Sequence, residues 1–138
     1  MRGSMRLAIL VALACSAFAA FAIVAAARTM RYDSTVTISF HRGHHHQGES
    51  FSGKVISVKH RCSRHRDVVV RRRLDGPNPL IGTDFTNRHG DWEVQVTSAP
   101  AGTYYAKARK KVLRRGAHRR VCRAAFSQDL PVHGKPGP

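Results

Sequence analysis

From Thr35 onward apolar and polar residues alternate along much of the chain. Val36, Ile38 and Phe40 are interleaved with Thr37 and Ser39, and Trp92, Val94 and Val96 with Glu93 and Gln95. This period of two gives each stretch one face for a core and one for water, the pattern of a half-buried β-strand. Further strands are predicted over Phe51 to His60, Asp67 to Leu74, Leu80 to Thr86, Thr103 to Leu113 and Val121 to Leu130. Turn chemistry separates them: Asp75-Gly76-Pro77-Asn78-Pro79, Asn87-Arg88-His89-Gly90 and Ala99-Pro100-Ala101-Gly102. No segment repeats apolar residues at helical spacing. The expectation is therefore an all-β fold, a single seven-stranded Ig-like β-sandwich over residues 34–131.

The first 27 residues follow a different rule. Arg2 and Arg6 precede an apolar run from Leu7, which closes on Ala25-Ala26-Ala27. A basic start, an apolar middle and a small-residue end read as a secretory signal helix that is cleaved after residue 27. The 21 residues from Leu7 to Ala27 also match the roughly 20 needed to cross a bilayer, so a retained membrane anchor is the alternative. Residues 28–33 are expected to be a linker, and 132–138, ending His133-Gly134-Lys135-Pro136-Gly137-Pro138, a disordered tail. Leu130-Pro131-Val132-His133-Gly134 has histidine where a wall-sorting signal requires threonine.

Export changes how the cysteines and the charge are read. Cys62 and Cys122 remain after the leader is removed, and an oxidising compartment favours a bond between them. Closing that loop is worth about 4 kcal/mol on the chain-entropy model. The formal charge is +16, of which Arg2 and Arg6 supply two, leaving +14 on a chain of this size. Such a charge attracts anions and bears on association, not on fold. A secreted protein, in some cases held at the cell envelope, fits these features.

Five segments carry a family resemblance: Phe51-Ser52-Gly53-Lys54-Val55, Asp67-Val68-Val69-Val70, Gly82-Thr83-Asp84-Phe85-Thr86, Gly90-Asp91-Trp92-Glu93-Val94 and Ala101-Gly102-Thr103-Tyr104-Tyr105-Ala106. Over Phe51 to Leu113 the chain resembles the carboxypeptidase regulatory-like, prealbumin-like β-sandwich. The motif T-x-x-x-G-x-W, followed by G-T-Y-Y-A, carries most of the likeness. With its flanking cysteines the chain is similar to small secreted actinobacterial proteins of this type. The resemblance implies a noncatalytic binding or spacer module. Related adhesin sandwiches form isopeptide bonds through a lysine, an acid and a terminal-strand asparagine. Lys54 and Glu93 are present, but Val121 to Leu130 has no asparagine.

Two clusters carry the candidate chemistry. On the strand from Thr103, Tyr104, Ala106 and Ala108 are expected to face inward, which sends Tyr105, Lys107, Arg109 and Lys111 outward. Arg71 and Arg73 are placed on the outer face of the strand from Asp67, and if the two strands are neighbours their like charges repel. Arg71, Arg73, Lys107, Arg109 and Lys111 are thus the predicted polyanion-binding set. Their partners would be anionic polymers: teichoic polymer, acidic polysaccharide, anionic lipid headgroups or extracellular DNA. The alternative is a passive envelope protein whose charge only keeps it soluble. A membrane enters as partner only if the N-terminal segment is retained. No recognition helix or zinc module supports sequence-specific nucleic-acid reading.

The second cluster, His41, His44, His45 and His46 with Glu49 nearby, is a candidate metal site. It lies in a glycine-containing loop without fixed geometry. No cofactor is implied. For catalysis the chain offers no nucleophile elbow or phosphate-cradling loop, and Asp67, Asp75, Asp84 and Asp91 all fall at turns or strand edges. The expectation is a protein that is not an enzyme.

Overall fold

The computed structural model describes residues 28–43 and 48–134. The first sheet is built on β4 (Glu49–Ile56). Strands β2 (Thr35–Val36) and β3 (Ser39–His41) lie along one edge and β7 (Asp91–Val96) along the other, all antiparallel to β4. The second sheet runs β6 (Leu80–Phe85), β5 (Asp67–Arg72) and β8 (Gly102–Ala108), with β11 (Ala125–Phe126) and β12 (Leu130–Val132) sharing the far edge of β8. A third, three-stranded ribbon consists of β1 (Thr29–Tyr32), β10 (His118–Cys122) and β9 (Lys111–Arg115). One short helical turn, α1 (His60–Ser63), follows β4. The fold is all-β, with its core between the first two sheets.

Alternation explains that core. Val36, Phe51, Val55, Trp92 and Val94 from one sheet meet Val68, Val70, Tyr104, Ala106, Ala108 and Val132 from the other. Phe51 sits at the centre, its ring 5.0 Å from that of Phe40 and 4.8 Å from that of Tyr104. The Tyr104 hydroxyl donates to the Pro100 carbonyl at 2.5 Å, so the core keeps its one phenol satisfied. Tyr104, Ala106 and Ala108 face inward as their spacing predicts. Each is fully buried.

Several predicted strands are interrupted, each for a visible reason. The stretch from Thr35 to His41 breaks at Thr37, whose hydroxyl accepts the Lys54 N–H at 2.9 Å in place of a ladder carbonyl. There the backbone leans over Gly53, where any Cβ would lie 2.0 Å from the Thr37 oxygen. The predicted strand Thr103 to Leu113 is two strands. At Arg109, whose N–H donates to the Asp67 carbonyl, the chain leaves the sandwich and enters the ribbon. Val121 to Leu130 is likewise divided, with Ser127 accepting from Ala106 N–H where pairing to β8 lapses. The expected strand to His60 ends at Ile56, and its last residues turn into α1.

Two boundaries are corrected. Residues 28–33 are not a linker: Thr29–Tyr32 forms β1 and pairs in parallel with β10, and Arg123 N–H closes onto the Tyr32 carbonyl. The outer half of the ribbon meets solvent on both faces, so Thr-Met-Arg-Tyr needs no apolar alternation and gives no strand signal. The fold also extends past residue 131, since Val132 is buried and pairs with Gly102. The leader 1–27, the anchor alternative and the tail beyond 134 lie outside the described residues. Among the described residues no helix is long and apolar enough to cross a membrane.

Cys62 and Cys122 form a disulfide, with their Cα atoms 5.4 Å apart. It ties α1 to the inner end of the ribbon. Beside it Arg66 is fully buried with no carboxylate partner; its guanidinium instead donates to the carbonyls of Cys62 (2.8 Å), Arg109 (3.0 Å) and Arg123 (2.7 Å). Those carbonyls belong to α1 and to the exits of β8 and β10, so one side chain pins three segments where ribbon meets sandwich. Burial lowers the Arg66 pKa, yet an arginine keeps its proton and needs these acceptors. Among the described residues the three sheets, the core and the disulfide all lie between 28 and 134, so residues 28–138 contain the whole described fold.

Candidate polyanion-binding surface

Strands β5 and β8 are neighbours, but their register keeps the predicted like charges apart. Arg71 lies opposite Tyr105, and Lys107 opposite Val69. Val69 and Tyr105 are both buried although they lie outside the core cluster, so this outer face carries a second small apolar layer. The cations fold onto it. The Arg73 guanidinium stacks 4.4 Å from the Tyr105 ring centre and pairs with Asp129 at 2.7 Å, and the Lys107 ammonium lies 5.0 Å from the ring centre of Phe126. Arg71 donates to the Asn78 carbonyl, and Arg109 pairs with Asp67 at 3.0 Å.

Lys111 is not on this face. It begins β9, and its ammonium donates to the Arg64 and His65 carbonyls at 2.8 and 3.2 Å. Burial, and then repulsion from Arg66, Arg64 and Arg61, holds its pKa below the ordinary lysine value. The five predicted residues therefore do not form one open cationic face. Four share a surface on which each has an intramolecular contact, and the fifth supports the ribbon.

The unpartnered charge lies on the ribbon itself. Strands β9 and β10 are joined by Gly116-Ala117, with Gly116 at φ 56°, as a two-residue hairpin turn with glycine in its first position requires. Arg119 lies directly opposite Arg114, and His118 opposite Arg115. Like charges in a cross-strand pair such as Arg119–Arg114 destabilise by a few tenths of a kcal/mol. The parallel strand β1 adds Arg31 and sets Arg28 at the ribbon's free end, beside the turn. Among the described residues, none of the ion pairs involves Arg28, Arg31, Arg114, Arg115, Arg119 or Arg120. No Asp or Glu occurs in any of the three strands.

The ribbon packs chiefly on itself and joins the sandwich at its base, where the disulfide, Lys111 and Arg66 hold it. Its outer half is exposed on both faces. A small cleft of about 140 Å³ opens there between Arg28, Met30, His118, Arg119 and Arg120. The sequence does hold a signal for this element: Arg114-Arg115-Gly116-Ala117-His118-Arg119-Arg120 is nearly symmetric about a glycine-led turn.

The other candidate cluster is only partly within the described residues. His41 ends β3 opposite Ser50, and His44, His45 and His46 lie outside them. The Glu49 carboxylate accepts the Ala99 N–H at 2.5 Å and so has a structural task. Among the described residues no group of three His, Cys, Asp or Glu side chains is placed to hold a metal. A wider open groove of about 590 Å³ includes Lys54, Asp84, Asp91, Trp92 and Glu93 in its lining. Its acids are engaged as well: Asp84 accepts from the Phe85 and Glu93 N–H groups, and Asp91 pairs with Lys54 at 2.9 Å. Compared with known proteins, the chain matches no family model, no curated protein and no solved structure.

Proposed function

We propose that this protein is a noncatalytic surface or matrix module that adheres to polyanions, and that the ribbon β1–β10–β9 is its binding element. One observation carries the reading: among the described residues six arginines lie on the ribbon with no acidic partner, while the cations of the sandwich face are occupied within the fold. Opposed arginines repel one another, and an anionic ligand would convert that repulsion into charge-assisted hydrogen bonds. Arginine's planar fork suits phosphate and carboxylate oxygens alike. The resemblance read from the motifs in Phe51 to Leu113, to carboxypeptidase regulatory-like, prealbumin-like sandwiches, would imply a binding role without catalysis and is part of this proposal. In this reading the sandwich is the rigid support, and the disulfide fixes the ribbon to it.

The test is binding of residues 28–138 to heparin, teichoic polymer and DNA, beside the variant Arg114→Ser/Arg119→Ser/Arg120→Ser. The proposal expects at least a tenfold loss for the variant at moderate salt. Unchanged affinity would return the charge to the role of a solvated surface and leave the protein a passive one.

A further inference from the structure

We infer that the ribbon's free end is a membrane-surface contact, docking on a bilayer that carries anionic phospholipid headgroups; this inference rests on the polyanion reading above and narrows it. A soluble polyanion requires only charge. The ribbon end offers more, because Met30 is 39% exposed among the arginines and contributes to the cleft with Arg28, His118, Arg119 and Arg120. Met30 lies in register with Arg120, so a thioether and a guanidinium stand side by side on neighbouring strands. Exposed apolar atoms ringed by arginine match the boundary between phosphate and acyl chain, where charge attraction and a small apolar insertion act together.

The direction of the chain points the same way. Strand β1 is parallel to β10 and runs from the ribbon's free end toward the disulfide, so residue 28 lies at the tip and Tyr32 at the base beside Cys122. The chain therefore enters the domain at Arg28, beside the cations of the ribbon tip. Antiparallel pairing of the same strand would have brought it in at the sandwich.

The experiment uses residues 28–138 in sedimentation with vesicles of phosphatidylcholine alone and of phosphatidylcholine with about a third phosphatidylglycerol, alongside heparin in solution. The expected result is binding to the anionic vesicles only. Arg119→Gln/Arg120→Gln should weaken it about thirtyfold, taking about 1 kcal/mol per cation at an anionic surface. Met30→Gln should weaken vesicle binding severalfold and leave heparin binding unchanged. Binding to heparin without preference for anionic vesicles overturns the membrane assignment and leaves the polyanion reading standing. Loss of both ligands overturns both readings. Equal weakening of vesicle and heparin binding by Met30→Gln also overturns the membrane assignment, since an apolar insertion would act on the vesicles alone. The melting temperature of each variant checks the fold, since Arg120 is half-buried and Met30 is only partly exposed.

Discussion

Removing the disulfide with Cys62→Ala/Cys122→Ala takes away the covalent cross-link between α1 and the base of the ribbon. The bond closes a loop across a sequence separation of 60. On the chain-entropy model, loss of that closure frees the unfolded chain by about 4 kcal/mol. For a domain near 100 residues, each kcal/mol moves the melting temperature by about 4 °C, so a drop of about 15 °C is expected. Both cysteines are fully buried, and the small cavities left behind can only deepen the loss. Thermal unfolding followed by circular dichroism, with and without reductant, measures it. Wild type in reductant should fall close to the variant, and the variant should be insensitive to reductant. Polyanion affinity should fall as well, because β10 is no longer fixed at Cys122. A variant within about 1 kcal/mol of wild type would refute the bridge as a main support, and a large loss that reductant fails to reproduce in wild type would show that the cavities, not the bond, cause it.

Other perturbations have equally definite signs. Gly53→Ala would place a methyl 2.0 Å from the Thr37 carbonyl oxygen and 2.7 Å from the Trp92 ring, so a loss of about 3 kcal/mol is expected in chemical denaturation. Arg66→Met would leave the carbonyls of Cys62, Arg109 and Arg123 without their donor and should cost about 3 kcal/mol, with Arg66→Lys recovering only part because one ammonium does not span the three. The depressed pKa of Lys111 means that the unfolded chain binds its proton more tightly, so stability should rise with pH through the window just below the ordinary lysine value of 10.5. Tyr104, whose pKa burial raises above its ordinary 10.0, acts in the opposite sense above that pH, since the unfolded phenol ionises first. A Lys111→Met variant should lose the rise and keep the decline in denaturation midpoints measured from about pH 8 to about pH 11.

The sandwich was legible in the sequence wherever a strand has one wet and one dry face. Trp92, Val94 and Val96 are the plainest case, as are Tyr104, Ala106 and Ala108. Pattern reasoning fails where neither face is dry: β1 and the outer half of the ribbon, Arg114 to Arg119, are exposed on both sides and resemble loop. It fails differently at Val69 and Tyr105, which are buried on the outer face by the stems and rings of Lys107, Arg73 and their neighbours, an apolar layer that long basic side chains conceal. The polyanion set followed from the same limitation. Strand parity placed Lys107 and Arg109 outward but could not disclose Asp67 and Phe126 waiting to engage them, because those contacts come from distant parts of the chain. The disulfide followed from the expectation of export, which left Cys62 and Cys122 as the pair.

Whether the ribbon carries binding is decided by the salt dependence of DNA affinity. Each phosphate that a variant no longer neutralises should reduce the slope of log affinity against log salt by about 0.9 for duplex DNA. If the ribbon binds, Arg114→Ser/Arg119→Ser/Arg120→Ser lowers the slope by about 2 to 3, and Lys107→Ser/Arg109→Ser on the sandwich face lowers it by less than about 1. The reverse order, or equal small changes in both variants, would contradict binding through the ribbon.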